Sequence, residues 1–545
     1  MSPWHAAWAC APALLALALE LSALGQALYG TRRRRSLLAG LQAQPRVLVL
    51  AFGLALLSAA LSLSNTGRLV LALSAAVGAS LPLLLPHSAD APELPVAHPM
   101  VCFSPPWWLR LEAALLLLAA PPLLLPTLRP WLALAAAALL FASWLASAVV
   151  ERAASPSPHL APGLWPGTLS DPALALFAVA ALIAIGQAAS QGPEARLLML
   201  PKACALFLSL AAFRYALRLG RAGGLSASIG GYLLVGLGFT ALGLLGGLRY
   251  ERIPMIGQWL RRLPSLVQVI PETQSGRVSL NQLGGMLTLL LPVALSLALA
   301  PAGSRLPRWL RHTAWIASFA SFAALLLTQS RGAWGGAAVS LLLLLALRSI
   351  WARRLIGLAL LVAALYWVGW GQAAHGTAIA RAIADAAGFS TPVGVINLQS
   401  RVAIWTDALE RIGRSPWFGH GLGTFRLGDA PVPSGRSPFD TGMPHAHNVW
   451  LQAAYDLGLP GLVALLAIVI SACRQAWRQI SGQPMASALS LGALSGLTGY
   501  HVHGIMDALS VGAKPGLLFW ILLGLVFSLP VRGGQGPAGA PLVDS

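Results

Sequence analysis

Three side chains stand where apolar sequence gives way to polar sequence, and their types suit chemistry on an anionic substrate: Arg331, Arg401 and His447. A guanidinium is planar, permanently charged and able to hold an oxyanion through two parallel hydrogen bonds. An imidazole is substantially neutral near pH 7 and can accept a proton from a hydroxyl. Arg331 lies in Thr328-Gln329-Ser330-Arg331-Gly332, at the junction of two apolar runs. It either meets a ligand or partner there or serves as a snorkelling anchor. Arg401 follows Ser400, a candidate N-cap, with Val402, Trp405, Leu409 and Ile412 recurring at helical spacing behind it. A cation in a first helical turn opposes the macrodipole, so the choice is between a ligand and a salt bridge to Asp407 or Glu410. For His447 the competing reading is an interfacial residue in contact with water or headgroups.

These side chains need elements to position them. From His447 onward, Asn448, Gln452 and Asp456 repeat at i, i+4 and i+8, which predicts a short helix with one polar, water-facing stripe. Gly458 is placed to end that helix, and Pro460 suits the first turn of the next. His445 precedes the helix and is a weaker candidate, as is Arg277 in Ser275-Gly276-Arg277-Val278-Ser279. His501, His503 and Asp507 lie near the end of another apolar run. Two imidazoles and a carboxylate suggest a metal, but the i, i+2 histidines diverge on a helix, so no metal site is expected.

The rest of the chain is membrane. It has 545 residues, 57% hydrophobic and 10% charged, with mean hydropathy +0.71. Apolar runs of spanning length recur throughout, which predicts an all-α polytopic protein of about 12–15 transmembrane helices. The net charge of +19 is arginine-borne, Lys202 and Lys514 being the only lysines. The arginines sit in short connections rather than in one basic domain, so nucleic acid is not an expected partner. No cleavable signal peptide is recognisable. Cys10, Cys102, Cys204 and Cys473 show no metal-ligand spacing.

The positive-inside rule puts Arg32–Arg35, Arg214-Arg218-Arg221, Arg305-Arg308-Arg311, Arg348-Arg353-Arg354 and Arg474-Arg478 on the cytoplasmic side together. The interval 372–446 is then external. Five regions follow: a multi-spanning N-terminal part, 1–270; membrane helices, 271–371; a large external loop with short helices, 372–446; further membrane helices, 447–531; and a Gly/Pro-rich tail, 532–545, expected to be disordered.

Within this frame the chain resembles the superfamily of O-antigen ligases and O-antigen polymerases, polytopic membrane glycosyltransferases. The resemblance covers about residues 274–530. It rests on Gln329-Ser330-Arg331-Gly332, on Arg401 followed by Trp405 and Pro416-Trp417-Phe418-Gly419-His420-Gly421, and on His447-Asn448-Val449-Trp450-Leu451 with Gly458-Leu459-Pro460-Gly461. It implies transfer of a glycan from an undecaprenyl-diphosphate-linked donor to a hydroxyl at the periplasmic face of the bacterial inner membrane. The acceptor it implies is lipid A-core, a growing glycan or a protein. By the same resemblance Arg331 and Arg401 bind the diphosphate, and His447 orients or deprotonates the acceptor with inversion at the anomeric carbon. Arg277, His445 and Asn448 are further substrate-binding candidates, with no metal or other cofactor. The alternative class is a lipid-linked oligosaccharide transporter, which would favour ionisable pairs or broken helices at midplane and internal repeats.

Overall fold

In hydrocarbon a backbone must satisfy its own polar groups, so long apolar runs fold as helices. The computed structural model describes residues 107–154, 170–245, 279–301, 304, 306–370, 392–428, 444–507, 509 and 511–530. Among them every regular element is a helix: α1 (Trp107–Leu124), α2 (Pro130–Ala154), α3 (Ser170–Ser190), α4 (Pro193–Leu219), α5 (Leu225–Leu245), α6 (Leu280–Ala298), α7 (Arg308–Thr328), α8 (Arg331–Arg348), α9 (Ile350–Trp370), α10 (Pro392–Arg414), α11 (Val449–Gln479), α12 (Pro484–Met506) and α13 (Gly516–Phe527). Among the described residues six stretches are long and apolar enough to cross a membrane, one of them running from Pro193 to Leu244. The protein is an all-α, multi-pass membrane protein.

The apolar runs of spanning length that fall on described residues are helical. Those before residue 107, Arg277, most of the external loop outside α10, and the tail lie outside the described residues. The chain divides into two compact units, Met1–Pro92 with Leu409–Pro416, and Glu93–Ala408 with Trp417–Ser545. Of the first, only the end of α10 and the start of the following turn are described. The second holds the residues of the candidate site.

At the centre of that second unit α12 packs on α6 and α8. Small residues permit the approach. A methyl at Gly499 would fall 2.6 Å from the carbonyl of Gly336, and one at Gly492 would fall 2.6 Å from Cα of Val293. Backbones this close gain dispersion contacts that apolar lipid cannot replace. A hydrogen bond from Ser296 Oγ to the carbonyl of Ala488 (2.7 Å) ties α6 to α12. On the other side α13 lies along α4, where Trp520 meets Phe177 and Phe213 at ring-centroid distances of 5.1 and 6.0 Å.

Two expectations change here. The Arg214-Arg218-Arg221 group is not a loop. Arg214 and Arg218 belong to α4 and both bind Glu112 of α1, Arg214 at 2.7 Å, with Arg218 also over the Trp108 ring. A five-residue π turn, Gly220–Gly224, then joins α4 to α5, with Gly223 at φ 96°. Second, α10 begins at Pro392, a residue suited to a first helical position. Ser400 is therefore not a cap, and Arg401 lies well inside the helix, where the macrodipole argument does not apply. The expected apolar stripe is also mixed, with Val402 42% and Leu409 51% exposed while Ile412 is buried.

Candidate functional site

The site forms where the chain enters α11. Asn448 caps that helix, its Oδ1 accepting from the amides of Trp450 (3.0 Å) and Leu451 (3.1 Å). Its Nδ2 donates to the carbonyl of Ile505 (3.3 Å), so the start of α11 is fastened to the end of α12. Just before the cap, His447 has φ 49°, a left-handed conformation uncommon outside glycine. This turn carries the His447 ring toward Asp507, the first residue beyond α12. His447 Nδ1 lies 3.1 Å from Asp507 Oδ1, and His445 Nε2 lies 3.7 Å from the same oxygen. The two imidazoles meet edge to face at 4.3 Å.

The hydrogen bonds fix the tautomers. The backbone amide of His447 donates to His445 Nδ1 (3.2 Å), so neutral His445 carries its proton on Nε2, facing Asp507. His447 donates from Nδ1 to the carboxylate, which leaves its Nε2 as an acceptor. Asp507 is 4% exposed. Burial alone would raise its pKa, but the hydrogen bond from His447, with the His445 and His503 imidazoles close by, outweighs it and holds the carboxyl well below the usual range. Burial pushes His445 down to about 3 against the opposing pull of Asp507, with His447, Lys202 and Arg401 adding to the depression. The cluster is thus a buried carboxylate between a neutral, inward histidine and a more open one. A charge-assisted hydrogen bond of this kind contributes about 1.5–3 kcal/mol.

His445, His447 and Asp507 also present one ligand atom each within 4.8 Å of one another. The spacing suits a small metal ion. The protonation does not, because His445 Nδ1 is already an acceptor and the proton it displaces occupies Nε2, the atom that would ligate.

Both arginine-bearing elements approach this cluster. Gly332, next to Arg331 in the first turn of α8, packs against α12: a methyl there would meet His503 Nδ1 at 3.2 Å and Met506 Cβ at 3.7 Å. Arg401 acts electrostatically on both His445 and His503. His501 takes no part. It turns away from His503 and stacks on Trp450 at 4.7 Å, with the planes 8° apart, as the i, i+2 spacing requires.

The glycine-rich turn after α10 is docked onto α11. The amide of His420 donates to the carbonyl of Tyr455 (2.8 Å), and the two rings stack at 4.7 Å. Gln191 Nε2 donates to the carbonyl of His420 (2.6 Å), bringing in the end of α3. Gly458, at φ 73°, breaks α11 where the turn crosses it. The helix end expected at Gly458 is therefore present: the backbone leaves helical geometry there (φ 73°, ψ 175°), and a second helical segment continues α11 beyond it.

The polar stripe is the largest surprise. Gln452 and Asp456 are both fully buried, facing the protein and not water. Asp507 is the residue that sequence reasoning undervalued. Its signal was a carboxylate directly after an apolar helix, but only the fold shows which histidine it meets. Against this geometry, residues 316–466 match the family described as O-antigen ligase. A comparison with curated proteins returned no match.

Proposed function

Starting from a chain whose residues 316–466 match the O-antigen ligase family, we propose that it transfers a glycan from an undecaprenyl-diphosphate-linked donor to an acceptor hydroxyl at the periplasmic face of the inner membrane. The observation that carries this reading is the His447–Asp507 pair. With Nδ1–H held by the carboxylate, His447 Nε2 accepts the acceptor's proton. The acceptor oxygen bonds to the anomeric carbon as the bond to the diphosphate breaks, and the diphosphate departs with the electron pair. In-line displacement inverts the anomeric centre. Asp507 stabilises the imidazolium that forms and does not itself take the proton.

Arg331 and Arg401 bind the diphosphate and neutralise its growing charge; two forked cations suit a group whose charge rises during the reaction. The tautomer of His445 supports a metal-independent route. Asn448 serves through the capping geometry that aims His447, and Arg277 remains a candidate for the donor. The acceptor is lipid A-core or a surface polysaccharide, as for a ligase. A polymerase or a protein O-oligosaccharyltransferase would use the same donor chemistry.

The test is transfer by purified protein from a lipid-linked donor, with a chelator present. Turnover in wild type, its loss in His447→Ala and retained donor binding are expected. Near-normal turnover in His447→Ala would overturn the assignment of the base. Loss of transfer on adding chelator alone would overturn the metal-free route.

A further inference from the structure

The buried stripe on α11 does not touch the reacting groups, yet its bonds converge on the turn that holds them. Gln452 Oε1 accepts from the amide of Ala446 (2.7 Å), the residue between the two histidines. Its Nε2 donates to Asp456 Oδ1 (3.0 Å), and the same oxygen accepts from the amide of Gly423 (3.2 Å) in the glycine-rich turn. Both side chains are fully buried. Lys202 of α4 supplies the nearby positive charge. Among the described residues Asp456 Oδ2 has no hydrogen-bond partner, so this carboxylate is a costly way to stabilise a core. The side-chain amide is directional, accepting at one end and donating at the other. It therefore passes the position of the Gly423 turn to the backbone of the histidine turn through two bonds.

We infer that Gln452, anchored by Asp456, is a positioning residue for His447: it holds Ala446 so that His447 keeps its left-handed backbone and its bond to Asp507. This rests on the transfer reading above. A left-handed non-glycine residue persists only where its surroundings over-determine it, and among the described residues the bond to Ala446 meets that turn from the opposite end to the Asn448 cap. Displacing the turn would move His447 Nε2 away from the acceptor hydroxyl while leaving both arginines in place.

The experiment compares wild type with Gln452→Met, Gln452→Glu and the double variant Gln452→Glu/Asp456→Asn. The double variant reverses the polarity of the central bond and keeps the bond to Ala446 and one negative charge, but the amide nitrogen that then faces residue 452 cannot accept from Gly423. Gln452→Met should lower kcat by about 10–100-fold, the scale of a small misplacement, with little change in donor KM or thermal midpoint. Gln452→Glu alone sets two carboxylates together and should be worse, and the double variant, which removes that repulsion and keeps the bond to Ala446, should recover part of the lost turnover. Equal falls in kcat, donor affinity and thermal stability would overturn the positioning role. Carbethoxylation by diethyl pyrocarbonate, mapped by mass spectrometry, gives a readout independent of transfer. Buried His445 should be protected in wild type and lose that protection in Gln452→Met. Unchanged protection would sink the inference even if transfer is confirmed. Exposure of His445 in a protein without transfer activity would instead leave the positioning standing and remove the transfer reading.

Discussion

A buried carboxylate and a left-handed backbone make His447 more than a polar residue near a membrane. Its Nδ1 is committed to Asp507, so Asp507→Asn should leave the ring in place but allow the wrong tautomer. Transfer should fall by about 10²–10⁴-fold, with donor binding retained, in a turnover assay run beside a binding assay. Unaltered turnover would remove Asp507 from the mechanism. His445 has a separate, pH-dependent consequence. Its folded pKa is about 3, below the ordinary histidine value of 6.5. As pH falls below the ordinary value the unfolded chain gains a proton there that the folded protein refuses, so stability present above it is lost toward the lower value. At about pH 5 the loss amounts to ~2 kcal/mol. Thermal unfolding in detergent at about pH 7.5 and 5 should show this, and His445→Asn should flatten the difference between the two. An equal fall in the variant would assign the slope to other groups.

At the scale of elements, the kink in α11 joins two pieces of the site. Gly458 has φ 73°, and a methyl there would lie 2.5 Å from the carbonyl of Trp417 and 2.9 Å from the amide of Gly419. Gly458→Ala combines a left-handed penalty of roughly 1–2 kcal/mol with a backbone clash. It should lower the thermal midpoint and detach the turn that carries His420 from Tyr455. A limited-proteolysis comparison should then show earlier cleavage between Arg414 and Gly428 than in wild type. Cleavage at the wild-type rate would mean that the turn is held elsewhere. The arginines follow the same logic. Arg331→Ala and Arg401→Ala should each abolish transfer while the protein still inserts, and lysine should rescue only partly because it lacks the fork. Full activity in either alanine variant would eliminate that residue.

For the whole molecule, the decisive property is which end of the helices faces out. The expected orientation puts 372–446 outside and the basic connections after α8 and α11 inside. A cysteine introduced at Ser434 should react with an impermeant thiol reagent in outer-membrane-permeabilised cells, and one at Ser349 should not. The reversed pattern would discard the proposed periplasmic side while leaving the helical architecture untouched. The buried Glu112 with Arg214 and Arg218 refines this picture. Arginines held by a carboxylate within the protein are poor witnesses to orientation, so the weight falls on groups such as Arg348-Arg353-Arg354.

By itself the sequence determined the helical spans, because a run of apolar residues has one way to satisfy its backbone in lipid, and that requirement is local. It also marked Gly458 as a break, since glycine alone takes a positive φ without cost, and it singled out His447 as a possible base at the mouth of a helix. The tertiary structure decided what periodicity cannot encode. A stripe at i, i+4 and i+8 names a face but not its neighbour, and Gln452 and Asp456 point inward because Gly423 and Ala446 supply partners that water would otherwise provide. Likewise Ser400 resembled a cap only because the helix beginning at Pro392 was hidden in weakly patterned sequence. The pairing of His447 with Asp507 spans sixty positions. No local rule selects that partner over His503 or His501; the close crossing of α12 with α8 and the Asn448 cap on Ile505 bring the two together.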